Sequence, residues 1–228
     1  NKWYIGTVSS NSGNGLYISN DNGTTNAYTT GSLAFAYAYR TISMETGDYV
    51  ISYNWKAQGE SQYYDYLRAW LAPASFAFTP GQAPDGGTSV YNYATGNNPS
   101  GWISLDESHS LNQVSSWQSQ TLTASVSAGT YNLVFMWAND ASGGSQPPAS
   151  VDNISITKIT CPVVADIETD NITTTSADIT WTERGTATAW DVVFSATALT
   201  DEQLAAATPE TVDAASYQAT GLTQNTPY

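Results

Sequence analysis

Residues 49–56, YVISYNWK, alternate between large apolar side chains and mostly polar ones. Tyr49, Ile51, Tyr53 and Trp55 occupy every second position, and strand geometry places such positions on one face of a β-sheet. The stretch therefore predicts an antiparallel strand with one face in a core and the other towards solvent.

The same two-residue period continues along the first two thirds of the chain. It recurs in residues 67–71 and 121–126, and turns rich in Gly, Asn, Ser and Pro separate these segments. Residues 130–138, TYNLVFMWA, are apolar on both faces in their middle, which predicts a central strand covered on its second face by a loop or a neighbour. Together the segments predict an all-β fold, a jelly-roll β-sandwich.

A second region follows with its own pattern. Residues 176–181 and 189–194 each place apolar residues two apart, and residues 217–222 start a third strand. Residues 200–203, TDEQ, form a capping box that opens a short helix ending before Pro209. This region holds ten acidic residues and one basic residue. We therefore predict two domains, residues 1–159 and 160–228, joined at a Thr-Cys-Pro linker.

Charge excludes some classes of partner. The formal net charge is -14, and without a basic stripe such a chain has no means of binding a phosphate backbone, so no nucleic acid is expected. No apolar run has the length of a membrane span, so no membrane insertion is expected. Cys161 is the only cysteine, which excludes a disulfide framework within this chain. The chain begins at Asn1 without a leader, which predicts that it is part of a longer polypeptide.

Catalytic residues are not expected. Asp106 and Glu107 precede His109, but a lone histidine in a Ser-rich loop is typical of a solvated surface, and no nucleophile elbow or zinc spacing accompanies it. Asp65 beside Arg68 indicates a surface ion pair or, as the alternative, another metal ligand.

Oxygen-rich residues at the ends of strands predict a cation site. Strand alternation places Asp152 on one face with Ile154 and Ile156, directed into the sandwich, where a carboxylate needs a cation or several N–H donors. The remaining candidate ligands lie at the end of the preceding strand and in the loop ISNDNGTTN, residues 18–26, namely Asn139, Asp140, Asn20 and Asp21. Calcium is the cation that prefers such oxygens.

Each of these residues also has an ordinary structural interpretation. Asp152 can cap backbone amides of the loop at Gly143 and Gly144, and Asn22-Gly23 is a strong signal for a hairpin turn. An EF-hand is excluded because Thr29 stands where a bidentate Glu is needed. The second binding hypothesis concerns Tyr91, Tyr93 and Trp102, whose rings can contact sugars or, alternatively, cover the core.

Motifs in the second region resemble a fibronectin type III domain. Trp181, the Trp190-x-Val192 strand and residues 221–228, GLTQNTPY, match that family's core tryptophan, third strand and tyrosine corner. The resemblance implies an immunoglobulin-like β-sandwich whose two final strands follow Tyr228. It also implies that Cys161 pairs with a cysteine beyond Tyr228.

The first region resembles the cleaved-adhesin, or choice-of-anchor J, jelly-roll modules of Bacteroidetes surface and secreted proteins. The motifs are WYIG at 3–6, LYISNDNG at 16–23, AYR at 38–40, GES at 59–61, DYLR at 65–68, FMWAND at 135–140 and QPPASVDNISI at 146–156. The resemblance implies a non-catalytic bacterial adhesion module, secreted or at the cell surface, that holds structural calcium. It implies binding to an extracellular protein or glycan and further domains in the same polypeptide.

Two other functions remain open from the sequence. One is a carbohydrate-binding module appended to a glycan-degrading enzyme, which binding of soluble glycans would indicate. The other is a hydrolase in its own right, which is disfavoured because no pair of carboxylates stands out from the general acidity.

Overall fold

The computed structural model describes residues 1–61, 63–160 and 163–228. The described chain divides into two compact units, Asn1–Lys158 and Ile159–Tyr228. Both are built almost entirely from antiparallel β-strands. The linker prediction at Cys161 and Pro162 and the predicted pairing of Cys161 lie outside the described residues.

The first unit is a β-sandwich of nine described strands and one short helix, α1 (Tyr91–Ala94). The strands are β1 (Lys2–Gly6), β2 (Gly15–Ser19), β3 (Ala34–Met44), β4 (Gly47–Ala57), β5 (Tyr66–Pro73), β6 (Ile103–Ser104), β7 (Val114–Val126), β8 (Gly129–Asn139) and β9 (Ser150–Lys158). One sheet has the order β1-β2-β9-β4-β7, and the other has the order β3-β8-β5-β6. This distribution of β2 to β9 over two four-stranded sheets, with β1 added at one edge, is the jelly-roll arrangement.

Residues 49–56 form the centre of the first sheet as the alternation predicts. Tyr49, Ile51, Tyr53 and Trp55 of β4 are buried in the core between the two sheets. The other face of β4 is polar or partly exposed. The two-residue period is a reliable signal here because only one face of this strand is covered.

Strands β5 and β8 are buried on both faces. Leu133, Phe135 and Trp137 of β8 point into the core between the sheets, whereas Val134 and Met136 belong to a second apolar cluster on the outer face. Side chains from the segment 74–102 complete this second cluster. The prediction that 130–138 is covered on its second face is confirmed. The half-exposed strand predicted for 67–71 is wrong, because the same segment covers β5.

The second unit contains five described strands and helix α2 (Asp201–Ala206). The strands are β10 (Ala165–Asp170), β11 (Ser176–Thr182), β12 (Trp190–Val192), β13 (Glu210–Val212) and β14 (Ser216–Thr220), in sheets of order β10-β11-β14 and β12-β13. Thr200 and Gln203 form the predicted capping box. The Tyr228 hydroxyl accepts a 3.0 Å hydrogen bond from the Thr223 amide, as in a tyrosine corner. No described helix is long and apolar enough to cross a membrane.

Candidate metal centre

Three carboxylates meet at one end of the first unit, and we call Glu60, Asp65 and Asp140 the acidic cluster. One carboxylate oxygen from each lies within 4.8 Å of the other two. The register of β5 and β8 brings two of them together, because Tyr66 stands opposite Ala138. The residue before β5 therefore lies beside the residues after β8, and Glu60 joins them from the loop between β4 and β5.

Asp65 is fully buried in this cluster. Its Oδ2 accepts a 2.5 Å hydrogen bond from the Tyr28 hydroxyl, and its Oδ1 accepts a 3.1 Å bond from the Asp140 amide. Burial raises the pKa of Asp65 to about 6, and the negative charges of Asp140 and Glu60 act in the same direction. Burial and the adjacent Asp65 also raise the pKa of Tyr28. The arrangement thus disfavours negative charge at the position where three carboxylates converge.

Glu60 contributes an oxygen that lacks a partner. Its Oε2 is buried and accepts no hydrogen bond from the part of the chain that the structure describes. A buried carboxylate oxygen without a donor or a cation is costly, and such atoms in folded proteins call for a specific explanation. An ion held between Glu60, Asp65 and Asp140 would satisfy this oxygen and offset the mutual repulsion of the three charges.

A diglycine turn passes close over the acidic cluster. Gly143 and Gly144 have φ angles of 68° and 90°, which L side chains rarely adopt. A Cβ added at Gly143 would lie 2.6 Å from the Glu60 carboxylate, and one at Gly144 would meet the Tyr28 hydroxyl and Asp65 Oδ2. A larger residue at either position would be strained by the backbone conformation and would displace the carboxylate or hydroxyl that it meets.

Backbone hydrogen bonds hold the surrounding loops together. The Ser145 amide donates to the Gly59 carbonyl at 2.8 Å, and the Gln58 amide donates to the Pro147 carbonyl at 2.8 Å. The Asn112 side chain donates to the carbonyls of Glu60, Ser61 and Asp65. Because several elements fix these loops, the three carboxylates are held in place by hydrogen bonds from outside the cluster.

The chemistry of the acidic cluster suits a hard divalent cation. Carboxylate oxygens are the ligands that calcium and magnesium take in proteins, and backbone carbonyls of such loops add to the set for calcium. Among the predicted carboxylate ligands Asp21, Asp140 and Asp152, only Asp140 belongs to this cluster. Sequence reasoning placed Asp65 in a surface ion pair or a metal site, and it did not single out Glu60 as a ligand.

Asp152 does not point into the core, and this part of the prediction is wrong. The register between β4 and β9 shifts at Asn153, which has a φ of 51°. Val151 therefore takes the inward position, while Asp152 stands opposite Asn54 on the other face. Its carboxylate accepts the amides of residues 11 and 12 at 2.6 and 2.9 Å, so it caps a loop other than the one at Gly143.

Asn139 is buried beside the acidic cluster, with every polar atom engaged. Its Oδ1 accepts from Trp137 Nε1 at 3.1 Å and from the Asn1 side chain at 2.9 Å. Its Nδ2 donates to the carbonyls of Thr29, Ser32 and Asp140. The predicted shared face with Trp137 is confirmed, and the side chain serves to anchor loops at the strand end.

The loop ISNDNGTTN is stabilised by its own side chains. Asp21 accepts hydrogen bonds from Ser19, Thr24 and Thr25, and the bond from Ser19 is the main reason that its pKa is lowered to about 2. The Asn20 side chain donates to Thr29. The predicted turn at Asn22-Gly23 is confirmed, and the two residues have φ angles of 61° and 84°. It does not close a hairpin, because β2 pairs with β1 and β9 and the chain then crosses to β3 in the other sheet.

The three aromatic candidates separate into two groups. Tyr93 and Trp102 are buried in the second apolar cluster, and the Trp102 ring packs edge-on against Trp70 with centroids 5.5 Å apart. Tyr91 remains 51% exposed and lies beside Tyr63 with centroids 5.1 Å apart. The structure thus leaves Tyr91 as the accessible ring of the three.

Asp65 and Arg68, predicted as an ion pair, have other partners in the structure. Arg68 is buried and forms its ion pair with Asp106, at 2.6 Å from Nε to Oδ2, so the predicted surface pair with Asp65 is wrong. The same pairing assigns Asp106 a structural role. Asp65 lies just before β5 and Arg68 lies within it. Side chains alternate along an extended chain, so two residues three positions apart point to opposite faces and contact different clusters.

Comparison with known proteins finds no protein-family model that matches the chain and no curated protein with significant similarity. The resemblance to cleaved-adhesin modules and to fibronectin type III domains therefore stays a prediction. What the structure gives directly is an all-β sandwich with an acidic cluster at one end.

Proposed function

We propose that the first unit is a non-catalytic binding module of a secreted or cell-surface bacterial adhesin, with calcium held at the acidic cluster. The observation that supports it most is the buried Glu60 Oε2, which has no hydrogen-bond partner among the described residues and lies within a group of three carboxylates. Calcium at Glu60, Asp65 and Asp140 would join the loop before β5 to the loop after β8. Partner-binding loops then need less ordering when a protein or glycan docks.

A calcium titration tests this proposal. The full chain is unfolded by heat in excess chelator and again in calcium, and the first unit is expected to unfold at a higher temperature in calcium. A concentration one hundred times the Kd stabilises the folded state by about 2.7 kcal/mol. Magnesium is the second titrant. This ion is smaller than calcium and demands nearly ideal octahedral geometry, so a weaker effect is expected at a site formed by loops.

Matched variants show whether the acidic cluster holds the ion. Glu60→Gln is expected to remove most of the calcium-dependent shift, because it keeps the size of the side chain and removes its charge. Glu107→Gln makes the same change at an exposed position and is expected to retain the full shift. A chain that shows no shift, or a Glu60→Gln variant that responds as before, would contradict the proposed calcium site.

A carbohydrate-binding module is the second candidate, favoured by the tyrosines near the start of β5 and α1. Tyr64 is 39% exposed and Tyr91 is 51% exposed, and such rings stack on the apolar faces of sugars. Titration with soluble glycans tests it, with Tyr91→Ala expected to weaken binding and Tyr39→Ala, another exposed tyrosine, as the control. Glycan binding that survives Tyr91→Ala would place the sugar elsewhere.

A further inference from the structure

Strand β9 has a free edge over half of its length. It pairs with β2 only through Ser150 and Val151, and residues 11 and 12 then fold onto Asp152. From residue 154 to residue 158, β9 is paired only with β4 in the described structure. Such an edge presents a row of unpaired N–H and C=O groups that can accept another strand.

A groove runs beside this edge, and we call it the edge groove. It is a cavity of 670 Å³ bounded by β9 on one side and by β3, the edge strand of the second sheet, on the other. Leu133 and Phe135 lie at its floor, and Ile42 and Ile156 line its walls. The edge groove therefore reaches the apolar core from the side of the sandwich.

The rim of the edge groove is also apolar. Ile5 is 74% exposed and Ile154 is 40% exposed, and both line the cavity. The Tyr39 ring, in contrast, lies on the outer face of β3 against Phe78, with centroids 4.6 Å apart. Ile5 and Ile154 therefore extend the apolar lining of the groove to its exposed rim, as at a binding surface.

Arg40 gives the edge groove its charge preference. It stands opposite Leu133 of β8, and because Leu133 packs on the core, Arg40 lies on the inward face of β3. Its side chain is exposed and makes no hydrogen bond or ion pair with the described residues. Asp152, the other charged residue lining the groove, is already bonded to backbone amides. A carboxylate bound in the groove would form a charge-assisted hydrogen bond with this guanidinium.

We propose that the edge groove binds an extended peptide segment of another polypeptide, which adds to β9 as a strand. Main-chain hydrogen bonds to residues 154–158 supply affinity, and alternate apolar side chains fill the space above Phe135 and Ile156. An Asp or Glu at one inward position pairs with Arg40. Five residues of edge accommodate about 17 Å of strand.

This inference rests on the proposed binding role and names a class of partner, but it uses a different site from the acidic cluster. The test uses the full chain and the synthetic heptapeptide Val-Thr-Ile-Thr-Glu-Thr-Val. Its companions carry Lys in place of Glu, or Pro in place of the central Thr. Calorimetry measures affinity with calcium and in chelator, so a failed calcium site and a failed peptide site give separate results.

The Glu peptide is expected to bind at least about tenfold more tightly than the Lys peptide, given the strength of a charge-assisted hydrogen bond. The Pro peptide is expected not to bind, because it loses a main-chain donor. Arg40→Glu should reverse the preference between the Glu and Lys peptides, and Lys2→Gln, which removes a base outside the groove, should leave it unchanged. Amide exchange should slow at residues 154–158 when the Glu peptide binds.

Three results would overturn the peptide groove. The first is that no peptide binds the full chain. The second is equal binding of the Glu and Lys peptides together with no added protection along β9. The third is concentration-dependent dimerisation that is abolished by Arg40→Glu, which would make a second copy of this chain the occupant.

Discussion

At the scale of single residues, the buried ion pair of Arg68 is fixed by contacts on several sides. Its guanidinium bonds Asp106 through two nitrogens, at 2.6 and 3.2 Å, and it also donates to Asn98 at 2.9 Å. Its carbon Cζ lies 4.6 Å from the centre of the Trp70 ring. Arg68 and Asp106 are satisfied together, so removal of either leaves the other as a buried charge.

We expect Asp106→Ala to lower the free energy of unfolding by about 3–5 kcal/mol, the usual effect of breaking a buried pair from one side. Urea denaturation followed by tryptophan fluorescence measures it. Glu107→Ala, the exposed neighbour, is expected to change stability by less than about 0.5 kcal/mol. Equal losses in the two variants would show that the pair does not contribute to stability.

At the scale of elements, the diglycine loop of residues 143–144 couples the acidic cluster to the chain around it. Its contribution has two parts, the positive φ angle and the close approach to Tyr28 and Asp65. Gly101 offers a matched reference, because its φ is 78° and no atom lies within 4 Å of an added Cβ. Gly144 and Gly101 therefore share a positive φ angle and differ in whether an added Cβ would meet other atoms.

Gly101→Ala is expected to cost about 1–3 kcal/mol, the range for a non-glycine residue in a sparsely populated conformation. Gly144→Ala is expected to cost more, since its Cβ must displace the Tyr28 hydroxyl or the Asp65 carboxylate. It should also weaken the calcium response. Thermal unfolding in chelator and in calcium measures both effects. If the two alanine variants behave alike, close approach at Gly144 has no energetic role.

At the scale of the whole molecule, the features predicted from the sequence are the ones that depend on neighbours along the chain. The alternation in β4 and the capping box at Thr200 are local, and the structure has both. The position of Asp152 was predicted wrongly because one residue, Asn153, shifts the register of β9. After such a bulge the alternation continues in the opposite phase, and the sequence gives no independent sign of where the bulge falls.

The acidic cluster could not be predicted for a different reason. Glu60 and Asp65 meet Asp140 only because β5 pairs with β8 in one particular register. Such pairing joins residues 75 positions apart, and periodicity within each strand does not specify it. The Gly-Gly pair at residues 143 and 144 was visible in the sequence, and such a pair indicates a backbone that turns sharply or passes close to other atoms.

Burial of tyrosines sets the response of the whole first unit to alkaline pH. Tyr53 donates to the Leu105 carbonyl at 2.8 Å, and Tyr66 donates to the Val90 carbonyl. Burial raises the pKa of both above the ordinary value of 10.0. The unfolded chain ionises these groups near pH 10 while the folded state keeps them neutral. Their contribution to stability is complete below pH 10 and is lost as the pH rises above it.

We therefore expect the urea midpoint of the first unit to fall between pH 9.5 and 11, with each buried tyrosine adding about 1.4 kcal/mol per pH unit to the slope above pH 10. Tyr66→Phe should make the slope shallower by the contribution of one tyrosine, since the ring stays and the ionisable group is removed. Tyr39→Phe, at an exposed position, is the control and should leave it as it was. A midpoint that stays constant to pH 11, or equal slopes in both variants, would mean that burial does not keep these hydroxyls neutral.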